Sequence, residues 1–189
     1  MIKIGILGEI GSGKSYVAKC FRYPVFNADS EVSKLYKKNK KVFNKLKKIL
    51  PKFFYKFPID KNEVSNAILS NDNNLKKIVK IVHYEIKKRL KIFLKKNQKR
   101  KAVVLDIPLL LENKINSKKD ILIFIESKKK DIYKNLIKRK NYNKKLLNKF
   151  KKIQLPIDYK RKKSQFIVKN DFTNRSVKRE VNRVLKYIL

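Results

Sequence analysis

Cysteine, histidine, glycine and acidic residues are all scarce in this chain of 189 residues, and each scarcity removes a class of function. A single cysteine, Cys20, can form no intramolecular disulfide and has no partner for a cysteine-based metal site. Its place in a helical pattern suits a small buried hydrophobe better than a reactive thiol. A single histidine, His83, cannot build a metal centre without cysteine partners, and spacing alone leaves it unassigned. No apolar run reaches the length a bilayer-spanning helix needs, and the N-terminus does not have the form of a cleavable signal. A cytoplasmic protein with no membrane partner is therefore expected. No Gly/Ser linker and no internal repeat divides the sequence, so its length suits one domain or a core with a small insertion. Acids number 15 against 52 lysines and arginines, a net charge of +37.

Such an excess invites a nucleic-acid partner, because each neutralised phosphate releases counterions. Its distribution points the other way. The cations comprise 44 Lys and 8 Arg, and most of the lysines are spread from residue 34 to the end without gathering on one motif. A lysine-rich solvated surface is the favoured reading, with nucleic acid the lesser one.

What is present concentrates at the N-terminus. The apolar run Ile2-Lys3-Ile4-Gly5-Ile6-Leu7 reads as a short buried strand, and it leads into Gly8-Glu9-Ile10-Gly11-Ser12-Gly13-Lys14-Ser15. That is G-x-x-x-x-G-K-[ST] between a strand and a helical pattern, the setting a phosphate-binding loop requires. Its glycines let successive N–H groups turn toward phosphate oxygens. Lys14 is placed to reach the terminal phosphates of a nucleoside triphosphate and Ser15 to ligate Mg²⁺.

Downstream, a helix is expected to about Arg22, then a short strand at Pro24-Val25-Phe26 ending in Asn27-Ala28-Asp29. Residues 30–50 carry apolar positions at helical spacing, Pro51 and Pro58 interrupt, and helices follow at about Asn62–Leu69 and Asn73–Lys96. Apolar runs at Ala102–Asp106, Ile121–Ile125 and Phe166–Val168 read as three more strands. Helical segments are expected over 128–152 and 173–188. Five apolar strands separated by helices predict an α/β fold with a parallel sheet covered on both faces. Ligands bind such sheets at the carboxyl ends of the strands, which puts Gly8, Asp29 and Asp106 on one rim.

Phosphoryl transfer needs charge compensation, positioning and a group to take the acceptor proton. Asp106 ends its strand where a carboxylate supports Mg²⁺, although a helix N-cap or turn before Pro108 is also open. Asp29 suits a general base or an N-cap, and both readings can hold together. Arg139, in Leu136-Ile137-Lys138-Arg139-Lys140-Asn141, is an arginine amid lysines: a phosphate clamp or part of a solvated face.

Together these segments resemble the dephospho-CoA kinase family, which performs the last step of coenzyme A synthesis. The loop looks like that family's G-G-I-G-S-G-K-S with Glu9 in place of a glycine, and Asn27-Ala28-Asp29 is similar to its D-A-D. His83 matches the histidine of its H-P pair, with Tyr84 replacing the proline. Leu105-Asp106-Ile107-Pro108-Leu109-Leu110-Leu111-Glu112 looks like V-x-D-[IV]-P-L-L-x-E, and the likeness runs from Met1 to about Asn170. The resemblance implies a P-loop kinase sheet of strand order 2-3-1-4-5 in a single domain, 1–189. It adds a helical acceptor-side insertion over 30–97 and a lid at about 128–160. It implies transfer from ATP to the ribose 3′-hydroxyl of dephospho-CoA. Asp29 is then the base, Lys14 and Arg139 compensate γ-phosphate charge, and Ser15 and Asp106 hold Mg²⁺. Gly8, Glu9, Ile10, Gly11, Ser12, Gly13, Lys14, Ser15 and Tyr16 would bind ATP. Asp29, His83, Arg89 and Asp106 would face the acceptor. After residue 150 the lid keeps Gln154, with Lys160 and Arg161 where the family often carries arginine. The alternatives are a P-loop kinase acting on a nucleoside monophosphate or another alcohol, and a basic nucleic-acid-binding P-loop protein. Oligomeric state is not legible.

Overall fold

The computed structural model describes residues 1–140 and 142–189, so Asn141, in the segment that carries Arg139, lies outside the described residues. The elements are β1 (Ile2–Gly8), α1 (Lys14–Cys20), β2 (Val25–Asn27), α2 (Ala28–Lys38) and α3 (Lys40–Ile49), then α4 (Lys61–Ser70) and α5 (Asp72–Lys96). After these come β3 (Ala102–Asp106), β4 (Ile121–Glu126), α6 (Lys129–Ile137), α7 (Lys144–Lys152), α8 (Ile157–Lys162), β5 (Phe166–Lys169) and α9 (Asn174–Ile188).

The chain divides into two compact units. One comprises Met1–Asn27, Asn97–Tyr142 and Lys151–Leu189 and contains all five strands. Every pairing is parallel, in the order β2-β3-β1-β4-β5 that the family resemblance implies. Continuous apolar runs form these strands because a parallel sheet is buried on both faces; β3 is buried at every position. Side chains alternate across a strand. Ile4 and Ile6 therefore share a face with Ile123 and Ile125, and Val17 of α1, Phe21 just after it, and Val177 and Val181 of α9 cover it. Gly5 points the other way. A Cβ there would lie 2.6 Å from Leu110 and 2.8 Å from Leu122, so the absence of a side chain admits both leucines.

The other unit comprises Ala28–Lys96 and Asn143–Phe150. Here α5 packs against α2, α3 and α4 through its 3.6-residue apolar stripe, Leu75, Ile78, Val82, Ile86 and Leu90. The helical pattern over 30–50 divides in two. Asn39 adopts an extended conformation and its side chain accepts from the Val42 N–H, ending one helix and capping the next. Asp60 and Glu63 form a capping box at the start of α4. At the head of α5, Asp72 pairs with Lys149 of α7 at 2.6 Å. The basic segment over 128–152 likewise resolves into α6 and α7, and α8 is an element the periodicity did not reveal. Among the described residues, no helix is long and apolar enough to cross a membrane.

Candidate active site

The loop joining β1 to α1 bends at glycines in the left-handed region: φ is +91° at Gly11 and +81° at Gly13. A Cβ on Gly13 would sit 2.3 Å from Asn170 Nδ2, so only glycine fits both the torsion and the space. The Lys14 ammonium folds back over the loop and donates to the carbonyls of Gly8 at 3.1 Å and Glu9 at 2.8 Å. Two side chains fasten the loop from the next strands outward. Ser127, just after β4, donates to the Ser12 carbonyl at 3.1 Å, and Asn170, just after β5, donates to the same oxygen at 2.8 Å. The Ser12 hydroxyl is buried without a hydrogen-bond partner. The sequence reading missed Ser127 and Asn170. Their signal was a polar residue directly following an apolar strand of a parallel sheet, on the ligand-binding edge.

Toward the other edge, register pairs Asn27 with Asp106 at the carboxyl ends of β2 and β3. The Asn27 amide donates to Asp106 Oδ2 and also reaches Ser15 Oγ at 3.5 Å. Asp106 is only 2% exposed, so it is a buried strand-end carboxylate, as the first half of its sequence reading required. The two residues expected to hold a metal, Ser15 and Asp106, thus meet through one shared neighbour. Asp29 lies in the first turn of α2, two residues beyond Asn27, and is exposed; it does not occupy an N-cap position. Tyr16 is exposed on α1, where partial desolvation, then the charge and hydrogen bond of neighbouring Cys20, raises its pKa above the ordinary tyrosine value.

Further along the chain the cations take definite partners. Lys151 at the end of α7 pairs with the Glu9 carboxylate at 3.2 Å. Lys160 is buried and holds Glu112 at 2.7 Å and Gln154 Oε1 at 3.3 Å. Glu112 Oε1 also accepts from the Leu155 N–H at 3.0 Å. Arg161 pairs with Glu126 at 3.2 Å. In this structure Lys151, Lys160 and Arg161 thus each face a protein carboxylate, and of the three only Lys160 is buried. Arg139 sits exposed in the turn after α6.

In the helical unit, His83 is half-buried on α5. Arg89 of the same helix donates to Glu31 of α2 at 2.7 Å, and Lys34 reaches the other oxygen of Glu31 at 2.6 Å. Burial opposes the charge on Glu31, but the hydrogen bonds and charges of Lys34 and Arg89 outweigh it and hold the pKa below the ordinary glutamate value.

The family model for dephospho-CoA kinase matches residues 2–176. The chain belongs to the dephospho-CoA kinase family. A dephospho-CoA kinase of Wolbachia pipientis wMel is 34% identical over 187 residues, covering 96% of this chain and 95% of that protein. One of Bacillus thuringiensis subsp. konkukian is 29% identical over 194 residues, covering 98% and 96%. A crystal structure from Thermus thermophilus superposes with a TM-score of 0.79 at 26% identity, covering all of this chain and 98% of that one. A shikimate kinase from Bacteroides thetaiotaomicron, at 11% identity and TM-score 0.54, shares the fold. Dephospho-CoA kinases transfer phosphate from ATP to dephospho-CoA, giving coenzyme A, and this chain is a transferase of that kind. Family membership implies a divalent metal with the ATP.

Proposed function

We propose that this chain binds Mg·ATP in the loop Gly8–Ser15 and phosphorylates the ribose 3′-hydroxyl of dephospho-CoA with Asp29 as the general base, in the cytoplasm. The observation that carries this is that Asn27 and Asp106, at the ends of neighbouring strands, meet Ser15 in the first turn of α1, next to Lys14. Mg²⁺ takes oxygen ligands, keeps several waters and needs only one or two protein groups besides substrate phosphates. A serine hydroxyl and a buried carboxylate fit that demand, and the ion would neutralise charge on the transferred phosphoryl group. Asn27 replaces the first Asp of the family's D-A-D and keeps a neutral donor against Asp106, so Asp29 is left as the carboxylate for the acceptor proton.

Lys14 leaves the Gly8 and Glu9 carbonyls for the β- and γ-phosphates, which are stronger acceptors because they are charged. Gly8, Ile10, Gly11, Ser12 and Gly13 supply backbone N–H groups around the phosphates, with Ser12 held in place by Ser127 and Asn170. Arg139 approaches γ-phosphate from the lid, 128–160, as a bidentate donor. His83 and Arg89, on the insertion over 30–97, bind the acceptor. Arg89 keeps donors to spare, since a guanidinium has five N–H groups and Glu31 engages one side of it.

The test is a coupled assay of ADP release. Release that depends on dephospho-CoA supports the assignment, and release driven only by a nucleoside monophosphate overturns it. Asp29→Asn should lower turnover by about 10²–10⁴-fold while ATP still binds. Undiminished turnover in that variant removes Asp29 from the mechanism.

A further inference from the structure

Glu9 is the one acidic residue inside the phosphate loop, at a position where the family pattern has glycine. Both of its acceptor groups are occupied by ammonium groups. Its backbone carbonyl takes the Lys14 ammonium at 2.8 Å, and its carboxylate takes Lys151 at 3.2 Å. Lys151 lies in the last turn of α7, at the residue where the chain returns to the sheet unit. One loop residue therefore gathers the motif's own lysine and a second one 137 positions further along the chain. The Glu9–Lys151 pair is partly solvated, with side chains 26% and 46% exposed. An exposed pair of this kind is worth about 0.2–1 kcal/mol, so a ligand carrying several negative charges can displace it.

We propose that Glu9 is a built-in stand-in for nucleotide phosphate. Without ATP, its carboxylate holds Lys151 beside the loop; the triphosphate then takes Lys151 over. Lys151 is a phosphate-binding cation that the motif does not contain, and Glu9 sets the ATP concentration at which the exchange occurs. This rests on the assignment of the loop to ATP. The geometry gives it physical content: the two charges that compete for Lys151 are both anionic, so removing one strengthens its hold on the other. A tie that merely stiffened the loop would behave differently, because either partner's loss would break it in the same way.

The experiment measures affinity for ATP without acceptor, by calorimetry, in Glu9→Gln, Lys151→Met and the double variant. Glu9→Gln should tighten ATP by about two- to fivefold, and Lys151→Met should weaken it by a similar factor. In the double variant, the weakening caused by Lys151→Met should persist relative to Glu9→Gln alone. Same-direction changes in the two single variants overturn the proposal, as does a Lys151→Met effect that vanishes once Glu9 is neutral. Because acceptor is absent, these signs decide the exchange independently of acceptor-dependent ADP release, which decides the kinase assignment.

Discussion

Lys160→Met probes the most deeply placed charge in the sheet unit. Lys160 is 1% exposed at its side chain and Glu112 10%, with 2.7 Å between their charged atoms. Glu112 Oε2 is buried and without a hydrogen-bond partner, so the carboxylate relies on Lys160 and on the Leu155 N–H, both at Oε1. Methionine matches the lysine stem in length but removes the ammonium, leaving a desolvated carboxylate with one neutral donor. Removing one partner of a buried pair destabilises by about 3–5 kcal/mol. In a domain of this size each kcal/mol moves Tm by about 2–4 °C, so a fall on the order of 10 °C is expected. Urea unfolding followed by circular dichroism and tyrosine fluorescence gives the free energy and shows whether both probes report one transition. Adding Glu112→Leu should restore much of the loss, because a neutral apolar pair carries no unpaired buried charge. A single-variant loss under about 1 kcal/mol, or a double variant as unstable as the sum of its parts, refutes the claim that Glu112 depends on Lys160.

Gly13→Ala should weaken ATP binding by at least about tenfold and lower stability by about 1–2 kcal/mol, since the new Cβ meets Asn170 and φ is +81°. Calorimetry and thermal unfolding check this, and Asn170→Ala should weaken ATP without the torsional cost. Glu31→Gln should loosen the α2–α5 tie by no more than about 1 kcal/mol, after screening by solvent. The sign of its pH dependence follows from the depressed pKa. Glu31 contributes fully above the ordinary value of 4.5 and loses that contribution as pH falls through its lower folded value. Unfolding curves for wild type and Glu31→Gln should therefore differ at neutral pH and converge in acid.

The legible parts of the molecule were those whose physics is local. The phosphate loop needs glycine torsions, a lysine and a hydroxyl at fixed spacing, and all occur within eight consecutive residues. The strands announced themselves because a sheet buried on both faces needs unbroken apolar runs, and Asp106 stood out as a charge closing one. Element boundaries inside helical stretches were less visible. At Asn39 the apolar rhythm carries on while the backbone turns extended, so only the side-chain cap to Val42 marks the break.

Partnership across the chain was hidden for a different reason. The sequence could place Lys160 and Arg161 among many cations, but not show which carboxylate each one meets or that only the first pair is buried. That depends on Glu112 and Glu126 lying within reach after folding. Likewise Ser12 and Asn170 are 158 positions apart, yet a hydrogen bond between them helps to fasten the loop. The sequence by itself determined the family, the sheet and the phosphate loop, because backbone torsion and burial are properties of short segments. Only the tertiary structure decided which lysine is buried, which glutamate holds it and which carboxylate waits at the loop, because charge pairing acts through space and is indifferent to chain separation.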